Sequence, residues 1–148
     1  MAKLGSVLAE RLAALGAQVE KIPANTPSKG DMIVGRFKGK GTRRIMMMAH
    51  MDTVYPAGIL SRPPFRIEGN RAYGPGIADD KGGIAVILHA IALLQRQKFA
   101  DYGELIVLFN NDEESGSQAS KGQIESLAKS SDVVFSFEPT SVAKELIP

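Results

Sequence analysis

The sequence contains no cysteine, which excludes disulfides and thiolate-held metals, so any metal must be held by histidine and carboxylate. Histidine is itself scarce: the 148 residues include only His50 and His89. Charge of one sign is not in excess. The 18 basic and 16 acidic residues leave a formal charge of +2, which gives no reason to expect a nucleic-acid partner. A long uninterrupted apolar run is missing as well. The opening MAKLGSVLAERLAALG carries Glu10 and Arg11 within its apolar pattern and reads neither as a signal peptide nor as a membrane span. A soluble chain with no membrane partner, cytoplasmic if made as given, is therefore expected.

What is present is a sequence of alternating strand and helix signals. Leu4, Val7, Leu8, Leu12 and Leu15 recur at helical spacing and Gly16 follows them, predicting an amphipathic helix over 4–15. The apolar runs DMIVGRF (31–37) and RIMMMA (44–49), separated by KGKGT, predict two strands and a turn. The basic stretch KGKGTRR lacks interleaved aromatics and reads as a solvated hairpin rather than a nucleic-acid site. FRIEGNRAY carries a second hairpin signal at Gly69-Asn70, an excursion from the main sheet. Beyond it the pattern predicts a helix at about 81–97, a strand at 104–110, a helix near 119–129 and a strand at 132–137. Such alternation implies right-handed crossovers, and hence an α/β fold, three-layered α/β/α, around a mostly parallel central sheet.

Parallel sheets bind ligands beyond the carboxyl ends of their strands, so the residues after each apolar run bear on function. After RIMMMA comes His50-Met51-Asp52; after the hairpin, Asp79-Asp80; after ELIVLFNN, Asp112-Glu113-Glu114; after DVVFSF, Glu138. Four segments thus deliver one histidine and several carboxylates to one rim. Carboxylates packed together repel unless cations neutralise them, which points to a metal centre. Histidine with carboxylates suits Zn²⁺, with Mn²⁺ or Co²⁺ as alternatives, and two ions sharing a carboxylate would account for the number of acids. The chemistry expected of such a centre is hydrolytic. Taken singly, Asp79-Asp80 would read as a turn and helix cap, and DEES as a solvated acidic turn; the set carries the reading. His89, within a packing helix, reads as a structural or surface residue, and Met46 to Met48 as core.

The segments AHMDTVY (49–55), FRIEGNRAYGPGIADDKGG (65–83), LFNNDEESGS (108–117) and SFEPTS (136–141) together resemble the co-catalytic zinc exopeptidase family of aminoacylase, acetylornithine deacetylase and succinyl-diaminopimelate desuccinylase. The likeness is nearest to bacterial glutamate carboxypeptidases of the carboxypeptidase G type. This resemblance implies that His50 binds one zinc, Asp79 bridges two, Glu138 completes the first site and Glu114 binds the second. It further implies that Glu113 is the general acid/base, that Asp52 orients the His50 imidazole without ligating, and that the Asp79–Asp80 peptide is cis. The implied substrate is a small peptide or N-acyl amino acid, cleaved at the amide next to a C-terminal residue.

Members of that family are longer, with an inserted dimerisation domain and a last zinc-binding histidine after the segment corresponding to SFEPTS. Residues 1–148 are accordingly expected to form a partial, incomplete catalytic domain. It would hold one zinc or none where the complete enzyme holds two, with weak turnover or none, and an exposed sheet edge through which it could form a homo-oligomer. The alternatives are a metal-binding module completed by a partner, and a truncated product without function.

Overall fold

The computed structural model describes residues 2–23, 30–56, 58–59 and 65–139. Its elements are α1 (Ala2–Ala14), β1 (Gln18–Ile22), β2 (Met32–Lys38), β3 (Arg44–His50), β4 (Arg66–Glu68), β5 (Arg71–Tyr73), α2 (Gly83–Arg96), β6 (Glu104–Asn110), α3 (Lys121–Lys129) and β7 (Val133–Ser136). The three predicted helices and the later strands are present, with boundaries displaced by up to two residues. QVEKI of β1 is short and half polar and carries no clear strand signal.

The ELIVLFN run of β6 is apolar on both faces, and such a strand is stable only at the middle of a sheet. β6 is buried along its whole length and lies at the centre of the order β1-β2-β6-β3-β7. Its position corrects the expected hairpin: β2 and β3 do not pair, because β6 lies between them, antiparallel to β2 and parallel to β3. The connecting residues 39–43 instead bond to the segment entering β6. Gly39, Lys40 and Gly41 donate backbone hydrogen bonds to the carbonyls of Gly103, Ala100 and Tyr102 at 3.2, 2.8 and 3.0 Å. Gly39 is required there, since a Cβ would lie 1.9 Å from the Tyr102 carbonyl oxygen. β3 also pairs in parallel with β7. The sheet is therefore mixed: β6, β3 and β7 form its parallel part, and β2 and β1 add antiparallel strands on one side.

Two helical layers cover this sheet. On one face Leu8 and Leu12 of α1 and Ile84, Ile87 and Ile91 of α2 pack against Ile33, Phe37, Met47, Leu105, Val107 and Phe109. On the other, Leu127 of α3 packs against Val34, Met46, Ile106 and Leu108. Alternation along each strand divides its residues between the two cores, giving the expected three-layer arrangement. β4 and β5 form a separate two-stranded hairpin, as the Gly69-Asn70 signal predicts. His89 is exposed on α2. Val133, Val134 and Phe135 of the edge strand β7 are exposed among the described residues. No described helix is long and apolar enough to cross a membrane.

Candidate metal centre

The parallel part of the sheet places the carboxyl ends of β3, β6 and β7 side by side. His50 is the last residue of β3 and lies in register with Asn110, the last of β6. Met51 then donates its backbone N–H to Asn110 O at 2.8 Å, and Phe137 donates to Met48 O at 2.9 Å, extending both pairings past the strand ends. This lattice delivers Asp52, the Asp112–Glu114 segment and Glu138 to one rim. Asp79 and Asp80 arrive from an irregular helical turn, Ile77–Gly82, that leads directly into α2. Their joining peptide is cis, as the resemblance implies.

His50 is 1% exposed and both ring nitrogens are engaged. Nε2 lies 2.8 Å from Asp79 Oδ1 and 3.6 Å from Glu138 Oε2. Nδ1 faces Asp52, 3.2 Å from its backbone carbonyl oxygen and 3.4 Å from Oδ1. Asp52 does more than orient the ring: its Oδ1 and Oδ2 accept the backbone N–H groups of Glu113 and Glu114 at 3.1 and 3.0 Å. One carboxylate thus ties the end of β3 to the acidic turn after β6. Glu114 reaches back, its Oε1 accepting the Val54 N–H at 3.2 Å.

The sequence shows Asp80 only as the second member of a pair, and the structure gives it a separate role. It is fully buried; Oδ2 accepts the backbone N–H of His50 at 3.2 Å, while Oδ1 has no hydrogen-bond partner among the described residues. Gly83 leaves room for it, since a Cβ there would lie 2.3 Å from Asp80 Oδ1, but a glycine in the sequence does not by itself announce this. Asp112 is also buried, but its Oδ2 accepts the N–H groups of Ala119 and Ser120 at 2.6 and 3.3 Å, a structural duty at the entry to α3.

Crowding of negative charge is written into the titration of these groups. Burial, and after it the charges of Glu113, Asp79 and Glu114, raise the Glu138 carboxyl against the opposing pull of His50. Burial together with the Glu138 charge lifts Asp80 to about 6, although the His50 N–H opposes it. Burial would lower His50, but its hydrogen bond to Asp52 and the charges of Glu138 and Asp80 outweigh that and hold it at about 9. Burial would raise Asp52, but the bonds from His50 and from the Glu114 and Glu113 N–H groups leave it lowered. The His50 ring is the group that Asp79 and Glu138 face directly among the described residues.

The donors fit a divalent cation. Ligand atoms of His50, Asp79 and Glu114 lie within 4.8 Å of one another, as do those of His50, Asp80 and Glu138. The two triads share His50, whose Nδ1 is turned to Asp52, so Nε2 is the nitrogen left to face an ion. Nitrogen and carboxylate oxygen without thiolate are donors suited to zinc.

A family model, peptidase family M20/M25/M40, matches residues 46–147. The chain belongs to peptidase family M20/M25/M40. Carboxypeptidase G2 from a Pseudomonas species is 51% identical over 145 residues, 98% of this chain and 35% of that one. Acetylornithine deacetylase from Edwardsiella ictaluri is 33% identical over 144 residues, covering 95% of this chain and 37% of the relative. The chain therefore spans little more than a third of the length of these M20 relatives. Among solved structures, a family M20 metallo-carboxypeptidase from Sulfolobus solfataricus superimposes with a TM-score of 0.77 at 22% identity, over 91% of this chain and 32% of that one. Human carnosine dipeptidase 1 does so with a TM-score of 0.75 at 20% identity, over 96% and 33%. At such identities these structures support the fold of the described residues.

Proposed function

We propose that this chain carries the metal-binding half of a zinc-dependent exopeptidase centre that hydrolyses the amide next to a C-terminal amino acid, with glutamate the preferred residue. The observation that carries this reading is the convergence of His50, Asp79, Glu114 and Glu138 from four segments onto one rim. The choice of a carboxypeptidase substrate draws on the 51% identity to carboxypeptidase G2. His50 and Glu138 would hold one ion, Asp79 would bridge to a second, and Glu114 would hold that second ion. Asp80 supports this arrangement from below through the His50 backbone.

A zinc ion held by these residues would supply polarisation of the amide carbonyl and a water that is nucleophilic near neutral pH. Glu113 would take the proton from the attacking water and deliver it to the leaving amine nitrogen, the exchange expected of a general acid/base. Asp52 would fix both participants, since it faces the imidazole of His50 and holds the backbone of Glu113. The ion shared by Asp79 and Glu114 has no second imidazole among the described residues, His89 being exposed on α2. Turnover by these 148 residues alone should accordingly be weak or absent, while binding of the first ion should persist.

Release of glutamate from an N-acyl-glutamate by zinc-loaded protein tests the assignment. Slow release that is abolished by Glu113→Gln supports it. Release that survives Glu113→Gln contradicts the role given to this carboxylate.

A further inference from the structure

The apolar rows that face α3 change character at one end of the sheet. Val34, Met46 and Ile106 belong to the core under α3, and on the same face of the same strands the next residues toward that end are Arg36, Arg44 and Glu104. Register brings the charges together. Glu104 lies opposite Lys38 on β2 and opposite Arg44 on β3, while Arg36 lies opposite Gln18 on β1. With Thr42 these residues line an open cleft of about 500 Å³. Arg44 and Glu104 begin the 7-residue strands that His50 and Asn110 end, so a strand length of about 20 Å separates the cleft from the acidic rim.

The charges of this cleft do not balance. Among the described residues Glu104 is the one carboxylate that lines it, and three cations share that carboxylate: Oε1 lies 3.2 Å from Lys38 Nζ and 3.6 Å from Arg36 Nη1, and Oε2 lies 2.9 Å from Arg44 Nη2. Asp132 is occupied elsewhere, by Arg43 at 3.2 Å and by the Arg44 backbone N–H at 2.7 Å. One cation would neutralise Glu104, and each further one adds repulsion among like charges. Arg36 shows the surplus most plainly. Its side chain is only 28% exposed, yet among the described residues its guanidinium makes the 3.6 Å ion pair and no hydrogen bond. A planar guanidinium fork with open donors, set beside an ammonium, a hydroxyl and a side-chain amide, is suited to the clustered oxygens of a phosphate. Three cations against one carboxylate leave a surplus of two positive charges, which matches a phosphate dianion, whereas a carboxylate ligand would leave one charge uncompensated.

We propose that this cleft binds a phosphate dianion, free or carried on a small hydrophilic ester, with Arg36, Lys38 and Arg44 as its cationic partners. Its volume exceeds that of a bare ion and leaves room for the body of an ester, and no aromatic residue lines it for a base to stack on. The site lies at the far end of the sheet from His50 and stands independently of the zinc centre.

The test is a phosphorus-NMR titration of the chelator-stripped 148-residue chain at low ionic strength, with inorganic phosphate and with glycerol 3-phosphate. Saturable binding in the millimolar range is expected, weakened about tenfold by Arg36→Gln, the scale of one charge-assisted contact. Lys38→Gln, at an exposed strand end, should weaken it several-fold. Glu104→Gln should tighten it, because the opposing charge is removed while the cations stay. That reversal of sign separates a ligand site from an ion cluster that only holds strands together. Lys121→Gln removes one positive charge at the exposed start of α3, beside the rim, and should leave binding unchanged. Tighter binding of glycerol 3-phosphate sustains the site with an ester as its ligand; tighter binding of inorganic phosphate sustains it with the free ion. Equal affinity in wild type and Arg36→Gln overturns the proposal, as does equal weakening by Lys121→Gln or absence of binding at millimolar ligand. Binding that appears only after zinc is added and is lost in His50→Ala would put the phosphate on the metal, which also overturns the cleft site.

Discussion

Asp52 accepts the backbone N–H of Glu114 at 3.0 Å while its other oxygen accepts that of Glu113 at 3.1 Å. The partners are 61 and 62 residues apart in sequence, so one buried carboxylate joins two of the four segments that build the rim. Replacing it should therefore disturb stability and metal affinity together. For Asp52→Ala, two backbone donors lose their acceptor, and a loss of about 1–3 kcal/mol is expected in urea unfolding of the metal-free chain. Zinc affinity should fall by roughly 10- to 100-fold, the range for groups that orient a ligand. Asp52→Asn, which keeps one acceptor oxygen, should lie between the two; unchanged zinc affinity in both variants would exclude a positioning role.

Zinc affinity should rise with pH. A metal-binding imidazole must be neutral, and His50 without metal holds its proton up to about 9. Below that value the ion displaces one proton from His50, so this residue contributes about tenfold in affinity for each pH unit gained. The proton-linked part should level off above pH 9. Calorimetric titrations at pH 6, 7 and 8 in buffers of different ionisation enthalpy would measure the released protons. Affinity that is flat over this interval would mean that His50 does not ligate.

At the opposite end of the sheet, Glu104 receives Arg44 at 2.9 Å, Lys38 at 3.2 Å and Arg36 at 3.6 Å. Burial would raise its carboxyl, but the bond and charge of Lys38, with the charges of Arg36 and Arg44, leave it lowered. A depressed carboxyl stabilises the fold above its ordinary value near 4.5 and ceases to do so as the pH falls through its folded value. Glu104→Gln should therefore cost about 1 kcal/mol at pH 7, since Lys38 is exposed and Arg36 and Arg44 are partly so. The difference from wild type should vanish in acid. Denaturant midpoints for both proteins at pH 7 and pH 3 would show this; a difference that grows on acidification would contradict the assignment.

Much of this arrangement was legible because its signals are local. The stripe Ile84, Ile87 and Ile91 marks α2, the apolar run 104–110 marks the strand β6, and the hairpin at Gly69-Asn70 needs only its turn. The residues of the rim could be read because a parallel sheet puts function at strand ends, so position after an apolar run carried information. Non-local pairing was hidden. Nothing in KGKGT tells whether β2 and β3 touch or part to admit a third strand, and that depended on β6 needing cover on both faces. Asp80 was missed for a related reason: its duty is to a backbone N–H 30 residues away, and burial of a lone carboxylate has no sequence signature. The last residues of the SFEPTS segment, beyond 139, lie outside the described residues.

The central claim is that His50 anchors a zinc centre, and zinc per chain in wild type and His50→Ala tests it most directly. Protein stripped with chelator, reloaded with Zn²⁺ and freed of excess ion would be measured by elemental analysis at pH 7.5. One zinc per chain, lost in His50→Ala, is the result predicted by the single Nε2 facing Asp79 and Glu138. No zinc in wild type, or an equal amount in both proteins, would contradict it.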